Sequence, residues 1–211
     1  MPVIAVVGNK GGAGKTTLSV NLAAGLSKQT SIAIVDADPQ GSALQWHAIA
    51  DEAGTLPVFP ASDDLHTQTA SLLQNHQYIV IDCPPSVHAP QTSAALEVGN
   101  MALVPVQPSP MDLWATVHIE RAITSARETN PSLQAMLVIN QLETRTTLSR
   151  LVREALDVIA LPVAGTALKR RAIYRNSALE GHSVFDMGRR GLDAVTEIDQ
   201  LIHEVTQHDN H

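Results

Sequence analysis

A glycine-rich stretch near the N-terminus is followed by a lysine and two threonines, a combination typical of sites that bind phosphate groups. The stretch is Gly11-Gly12-Ala13-Gly14, and Lys15, Thr16 and Thr17 come directly after it. Glycines let several backbone N–H groups converge on phosphate oxygens, a lysine amine adds positive charge, and a threonine hydroxyl can ligate Mg²⁺. We therefore expect this segment to bind the phosphates of a nucleotide, with the Thr16 hydroxyl on the metal.

The segment departs from the standard phosphate-binding pattern. That pattern has a glycine five residues before its last glycine, and here this position is Asn9, while a second lysine, Lys10, stands at the start of the stretch. The alternative interpretation is a glycine-rich turn with two solvated lysines. The flanking sequence favours the phosphate site, because the apolar run Val3–Val7 predicts a buried strand before the turn and a helix is predicted from Lys15 to about Lys28.

Carboxylates follow two further apolar stretches and are candidates for the metal and for the reacting water. Asp38 lies just beyond the stretch Ser31–Val35, and Asp82 closes the stretch Tyr78–Ile81. Ligands of parallel α/β sheets bind at the carboxyl ends of the strands, so both side chains are expected near the phosphate segment. We assign Asp82 to Mg²⁺ through a water, while the position of Asp38 leaves its role at this edge open.

Each of these carboxylates also has a purely structural interpretation. Asp38 or Ser42 could cap a helix predicted over residues 42–53, and Asp82 could be a strand-terminal aspartate by chance. Asn140, which ends the apolar stretch Ala135–Ile139, has two interpretations as well: its amide could bind an adenine ring, or it could satisfy its own loop backbone.

Basic residues are concentrated in one part of the chain. Residues 145–190 contain nine Lys and Arg residues against four acids, whereas residues 1–120 contain three against ten. Such a block is either a solvated surface or a contact for duplex DNA, and the scarcity of aromatic residues would restrict the DNA contact to the phosphate backbone. A helix opened by residues 169–175 would place Arg171 and Arg175 on one face. The candidate DNA contacts are Lys169, Arg170, Arg171, Arg175, Arg189 and Arg190.

The strands that carry these residues alternate with predicted helices along all 211 residues. This pattern predicts one α/β domain, residues 1–211, with a mostly parallel sheet covered by helices on both faces. No apolar run approaches 18 residues and a strand is predicted at the very start, so we expect no membrane span and no signal peptide. The single cysteine and the absence of a disulfide framework favour a cytosolic compartment. The predicted last helix, Arg190–Gln207, has an acidic polar face that would be repelled by an anionic membrane, so we expect it to pack on the sheet.

Four motifs, in their order and spacing, resemble the ParA/MinD group of P-loop ATPases: KGGAGKTT, DADPQG, VIDCPP and VQPSP, at residues 10–17, 36–41, 80–85 and 106–110. The resemblance implies a P-loop fold, ATP and Mg²⁺ as cofactors, and hydrolysis of ATP to ADP and phosphate. It implies that Lys10 crosses an interface to the partner's nucleotide in an ATP-bound homodimer, and that Asp38 orients the attacking water, with a second, water-mediated contact to the metal. It also implies that Asn140 binds adenine and that VQPSP borders the nucleotide and the dimer interface.

The same resemblance favours the DNA interpretation of the basic block. It implies a nucleoid-associated protein of the cytoplasm whose ATP-bound dimer binds duplex DNA non-specifically. A ParB-like or cargo adaptor protein would stimulate hydrolysis, and the cycle would position a plasmid, a chromosome or a protein body such as a carboxysome. Rival interpretations are a MinD-like ATPase that cycles on membranes, which the acidic last helix disfavours, and a metabolic enzyme of the dethiobiotin-synthetase type, which would not need Lys10. A non-catalytic binding module fits less well, and an iron–sulfur reductase is disfavoured by the single cysteine.

Overall fold

Six parallel strands form one sheet in the computed structural model, which describes residues 2–50, 56–143 and 159–207, without the side chains of residues 110–115. The strands are β1 Val3–Val6, β2 Ile32–Asp36, β3 Val58–Pro60, β4 Tyr78–Asp82, β5 Met101–Val106 and β6 Gln134–Ile139. They lie side by side in the order β3-β2-β4-β1-β5-β6, and every neighbouring pair is parallel. The carboxyl ends of all strands therefore meet at one edge, where the predicted site residues follow them.

Helices cover both faces of this sheet, as predicted. Their bounds are α1 Lys15–Leu26, α2 Ser42–Ile49, α3 Leu65–Leu72, α4 Pro90–Val98, α5 Pro110–Thr129, α6 Ala172–Leu179 and α7 Leu192–Gln207, with two 3₁₀ turns at Val184–Asp186 and Gly188–Gly191. Alternate residues of β1 enter separate cores: Ile4 and Val6 pack in the cluster that contains α1 and α7 residues, and Val3 and Ala5 pack with residues of α3, α4 and α5. The buried strands thus separate two apolar layers.

Several predicted elements differ from the observed ones. Strand β3 and helix α4 were not predicted, and β3 has only three residues, too few for a periodic signal. The sequence also predicts a helix at about residues 147–159 and a short strand at about residues 161–165. The strand is a single bridge between Val163 and Leu137, and the helix lies almost entirely outside the described residues. The helix predicted from residue 169 begins at Ala172, because Lys169 pairs with Leu142 in another isolated bridge.

The last helix buries its apolar face, as expected, but it packs mainly against α1 rather than directly on the strands of the sheet. The apolar residues that it buries are Ala194, Ile198, Leu201 and Val205, whereas Leu192, the first residue of the helix, is 59% exposed. The helix begins two residues later than predicted, after the second 3₁₀ turn. None of the helices within the described ranges is long and apolar enough to cross a membrane.

Substitution of two glycines with positive φ would test how the segment before α7 packs. Gly181 has φ +68, and a Cβ there would lie 2.4 Å from the backbone nitrogen of Ala50, at the end of α2; Gly188 has φ +55 and no atom within 4 Å of its would-be Cβ. Gly188→Ala should cost about 1 kcal/mol of unfolding free energy for the left-handed backbone alone. Gly181→Ala should cost about 3 kcal/mol or more, because the overlap with backbone atoms is added. Chemical denaturation measures both, and equal losses would contradict this packing.

Candidate functional site

The glycine-rich segment forms a loop between β1 and α1, and its shape depends on glycine. Gly12 and Gly14 have φ values of +78 and +89, a backbone region that side chains disfavour. Gly14 directly precedes the first turn of α1, and a Cβ on it would lie 2.4 Å from the amide nitrogen of Asn140. The loop therefore carries free N–H groups at a helix N-terminus, which is the geometry that binds phosphate oxygens.

Three side-chain amides bind the backbone carbonyls of this loop. Gln107 Nε2 donates to the Gly12 carbonyl at 2.7 Å, Gln141 Nε2 donates to the same oxygen at 3.2 Å, and Asn140 Nδ2 donates to the Ala13 carbonyl at 2.7 Å. The three donors follow β5 and β6, so the ends of two strands fix the loop. Gln107 belongs to the VQPSP motif, and its contact brings this motif against the glycine-rich loop; that the motif borders a nucleotide and a dimer interface stays a prediction. Gln141 was not singled out in the sequence.

Asn140 satisfies backbone groups in this structure. It is buried, its Nδ2 binds Ala13, and its Oδ1 accepts a hydrogen bond from Gln141 N at 2.9 Å. These contacts fit the interpretation in which Asn140 satisfies backbone groups. One of those groups, the Ala13 carbonyl, belongs to the phosphate loop rather than to the loop of Asn140 itself. Its contact with adenine remains a prediction. Gln141 has φ +56, and two hydrogen bonds stabilise this conformation: its backbone N–H binds Asn140 Oδ1, and its Nε2 binds the Gly12 carbonyl.

Lys15 is a buried ammonium group at the start of α1. It is 7% exposed, and its Nζ donates to the Lys10 carbonyl at 3.3 Å. Burial lowers the pKa of Lys15, while the carboxylates of Asp82 and Asp38 partly oppose this shift. An anionic phosphate against Nζ would favour the charged amine further. The Lys10 residue itself is exposed, and its reach into a partner's site stays a prediction.

Asp82 is a fully buried carboxylate that the structure brings against Thr16, its predicted companion. Thr16 Oγ1 donates to Oδ2 at 2.6 Å, and Ser19 Oγ donates to Oδ1 at 3.0 Å. Burial raises the pKa of Asp82 to about 7, against the opposing effect of these two hydroxyls and of Lys15. Neighbouring hydroxyl and carboxylate oxygens are a donor set that fits Mg²⁺, and a divalent cation would compensate the buried charge. Ser19, one helical turn after Lys15, was missed in the sequence, where a mid-helix serine gives no functional signal.

Asp36, rather than Asp38, binds the start of α2. Its Oδ2 accepts hydrogen bonds from the N–H groups of Ala43 and Leu44, both at 2.9 Å, and its Oδ1 accepts one from Asp38 N at 3.1 Å. The interpretation of Asp38 or Ser42 as the cap of α2 is therefore wrong. Burial raises the pKa of Asp36 despite these three bonds. Asp38 is half-buried, accepts a bond from Gln40 N at 3.0 Å and is close enough to favour the charged form of Lys15.

A cavity of about 770 Å³ opens beside the phosphate loop. Gly14 and Thr17 line one side and Leu168 to Arg171 another, and Tyr174 and Ile198 also contribute. Its size is that of a typical small-ligand site and its position continues the phosphate loop, so it can receive the nucleoside part of a nucleotide. The buried hydroxyl of Tyr174 has no hydrogen-bond partner among the described residues, and burial raises the pKa of this phenol.

Three of the six residues predicted to contact DNA are engaged within the chain. Arg170 binds Glu143 at 2.6 Å, Arg171 binds Asp193 and Glu197 at 2.8 Å each, and Lys169 lies 3.6 Å from Glu197. The prediction that Arg171 and Arg175 share one face of a helix is also wrong, because Arg171 precedes α6 in an extended conformation. The sequence gives the number of these charged residues, but it does not show which of them form ion pairs within the chain.

The other three candidates, Arg175, Arg189 and Arg190, are exposed, and no ion pair joins them to another described residue. A cation that is already paired offers less net charge to a phosphate than an exposed one without such a partner. DNA contact through these three arginines is compatible with the fold and stays a prediction.

The raised pKa of Asp82 predicts a pH dependence of stability in the protein without nucleotide and metal. The folded state binds the proton of this carboxyl more tightly than the unfolded state, whose pKa is near 3.8, so stability falls as pH rises from about 4 to about 7. In the Asp82→Asn variant, the free energy of unfolding should therefore fall less over this pH range than in the wild type, by on the order of 3 kcal/mol. Urea unfolding in EDTA at pH 5 and pH 8 measures it, and Asp63→Asn, at an exposed loop position, is the control. A variant with the wild-type pH slope would contradict the assignment.

Comparison with known proteins agrees with this geometry. Residues 4–184 match the family described as the CobQ/CobB/MinD/ParA nucleotide-binding domain. The maintenance of carboxysome distribution protein A of Halothiobacillus neapolitanus is 42% identical over 205 residues, which cover 96% of this chain and 95% of that protein.

Two solved structures have the same fold. The cobyrinic acid a,c-diamide synthase of Mycobacterium smegmatis, with bound ADP and magnesium, is 25% identical with a TM-score of 0.70, over 84% of this chain and 92% of that one. The apo McdA of Cyanothece is 16% identical with a TM-score of 0.73, over 94% and 99%. With the phosphate loop, the buried Thr16–Asp82 pair and a family match over most of its length, the chain belongs to the CobQ/CobB/MinD/ParA nucleotide-binding family.

Proposed function

We propose that this protein is a positioning ATPase of the ParA type, with ATP and Mg²⁺ as its cofactors. The observation that carries the proposal is the Thr16–Asp82 contact at 2.6 Å beside the glycine loop and the buried Lys15, because it assembles a metal-ligand pair where nucleotide phosphates would lie. The reaction is the attack of water on the γ-phosphorus of ATP, which breaks the bond to the β-phosphate oxygen and yields ADP and phosphate.

The residues divide this reaction between them. Lys15 and the N–H groups of the loop bind the phosphate oxygens and offset their charge, and Thr16 and Asp82 hold Mg²⁺, the latter through a water. When bound, the metal supplies positive charge to the transferring phosphoryl group. Asp38 orients the attacking water, and Asp36 fixes the backbone of that residue through the hydrogen bond to Asp38 N.

Lys10 acts in the partner's site of an ATP-bound homodimer. The support for this role is the position of Lys10 at the start of the loop, its exposure, and the hydrogen bond that its carbonyl accepts from Lys15. A cation supplied in trans raises the rate of phosphoryl transfer by roughly 10³ to 10⁵ in other phosphate-loop enzymes. Hydrolysis would therefore be slow in the monomer, and an adaptor protein of the ParB type would stimulate it in the dimer.

The cargo is a protein body, with a carboxysome as the first candidate. The support is the 42% identity, over 95% of its length, to a protein named for maintaining carboxysome distribution. Relatives named for chromosome partitioning are less similar: the ParA protein of Myxococcus xanthus is 31% identical over half of this chain, and that of Caulobacter vibrioides is 26% identical over 71% of it. The dimer would act in the cytoplasm on the nucleoid. Membrane cycling of the MinD type has less support, because the apolar face of α7 is buried against α1.

Nucleotide-dependent dimerisation tests the core of this proposal. Asp38→Ala should bind ATP and accumulate as a dimer, because the water is no longer oriented while the phosphate contacts remain. Analytical ultracentrifugation with ATP, with ADP and without nucleotide measures the dimer, and phosphate release measures turnover. Lys15→Ala should bind no nucleotide, and Lys10→Ala should bind ATP without forming the stable dimer. A monomeric Asp38→Ala protein in saturating ATP and Mg²⁺ would contradict the proposal.

DNA binding should depend on the arginines that lack an ion pair among the described residues. Arg189→Ala with Arg190→Ala should reduce the slope of log K against log salt by about 2, since each lost phosphate contact removes roughly 0.9. The control is Lys28→Ala with Arg121→Ala, two exposed residues outside the basic block that remove the same charge. Co-sedimentation with duplex DNA and ATP over a salt series measures the slope, and equal effects of the two pairs would show that net charge alone acts.

A further inference from the structure

Two glutamates of α7 bind the same segment of the chain, residues 165–171. Glu204 accepts hydrogen bonds from Gly165 N at 2.7 Å and Thr166 N at 2.8 Å, and from the Thr166 hydroxyl. Glu197, seven residues earlier and so on the same face of the helix, binds the other end of the segment. The carboxylates of one helix therefore fix both ends of this segment.

Glu197 is the more buried of the two and the more strongly paired. It is 6% exposed, accepts bonds from Lys169 N at 3.2 Å and from Arg171 Nη2 and Nε at 2.8 and 3.2 Å, and lies 3.6 Å from Lys169 Nζ. Arg171 also binds Asp193, one turn earlier on α7, and the Glu197 carboxylate raises the pKa of Arg171. A carboxylate this deeply buried is stable only with such partners, so its removal would release the segment it holds.

The segment that these glutamates bind is a wall of the cavity beside the phosphate loop. Leu168, Lys169, Arg170 and Arg171 all line the cavity, opposite Gly14. On the sheet side, the segment is fixed by backbone hydrogen bonds such as Leu168 N to the Ile139 carbonyl at 2.8 Å. The segment also binds Glu197, Asp193 and Glu204 of α7, while Arg170 binds Glu143 at 2.6 Å. The last helix therefore contributes most of the side-chain contacts that fix this wall.

Helix α7 also contacts the opposite side of the cavity region. It packs against α1, the helix that the phosphate loop begins, and its own Ile198 lines the cavity directly. The spacing between α1 and the segment 165–171 is therefore set by one element that touches both. From the sequence, the acidic face of α7 was interpreted only as a surface that an anionic membrane would repel. In the structure, glutamates of this face also bind the segment 165–171.

We propose that Glu197 and Glu204 are positioning residues that set the affinity of the cavity for the nucleoside part of ATP. The inference rests on the proposed function, namely that the cavity and the phosphate loop bind one ATP molecule. Neither glutamate touches the nucleotide: each acts through the segment 165–171. The phosphate loop, held by β1, α1 and three amides, does not depend on them.

The test separates nucleoside binding from phosphate binding. Magnesium tripolyphosphate carries the phosphates without the nucleoside, so its competition with a fluorescent ATP analogue reports the phosphate loop alone. Glu197→Gln and Glu204→Gln should each weaken Mg·ATP by roughly tenfold, the size expected when a hydrogen bond to a charged group is lost, and should leave the tripolyphosphate affinity within about twofold. Asp199→Asn removes the same charge at an exposed position of α7 and should change neither.

Each outcome decides between alternatives. Equal weakening of ATP and tripolyphosphate by the glutamate variants would overturn the inference, since the effect would then be a general loss of structure, and so would unchanged ATP affinity or an equal effect of Asp199→Asn. If Glu197→Gln does not fold by circular dichroism, Glu204→Gln carries the test, because its glutamate is only half-buried and its protein partners are Gly165 and Thr166. Wild-type protein that binds neither ligand would refute the proposed function itself.

Discussion

The carboxylate of Asp82, buried without any exposed surface, is the constraint on which the site depends. It lies in register with Asp36 on β2 and with Val6 on β1, at the edge where the phosphate loop leaves the sheet. Burial disfavours the charged form of Asp82 and raises its pKa, and the neighbouring carboxylate of Asp36 adds to this cost. The hydroxyls of Thr16 and Ser19 and the amine of Lys15 offset that cost, so the first turn of α1 is bound to the central strand by the same groups that would receive a metal and a phosphate.

The charge distribution gains a physical meaning from the fold. The basic block and the acidic last helix look like opposite surfaces in the sequence, yet several of their charges neutralise each other: Lys169 and Arg171 pair with Glu197 and Asp193. What is left for an external partner is smaller than the sequence count, and in the described residues it centres on Arg175, Arg189 and Arg190. Lys169, Arg170 and Arg171 line the cavity beside the phosphate loop and contribute to its architecture.

Much of the fold and the centre of the site could be predicted, because they depend on local patterns. Apolar runs mark the buried strands, and their carboxyl ends locate Asp38, Asp82 and Asn140 without knowledge of the tertiary structure. The contacts of the polar side chains could not be predicted in the same way. Asn140 binds a carbonyl 127 residues away, and Glu197 binds a guanidinium 26 residues away. Periodic patterns in the sequence do not indicate contacts between such distant polar residues. For the same reason Asp36 was passed over as a cap, since its partners at α2 lie seven and eight residues further on.

The three amides that hold the carbonyls of Gly12 and Ala13 have a kinetic consequence. A loop that must order itself around a ligand loses conformational entropy at the moment of capture, and that loss slows association and weakens affinity. Here much of this ordering is completed when the chain folds. In the proposed ATPase, the phosphate loop would be preorganised before any nucleotide arrives, so association would not wait for the loop to order, and a slow step of the cycle would come from another part of the molecule.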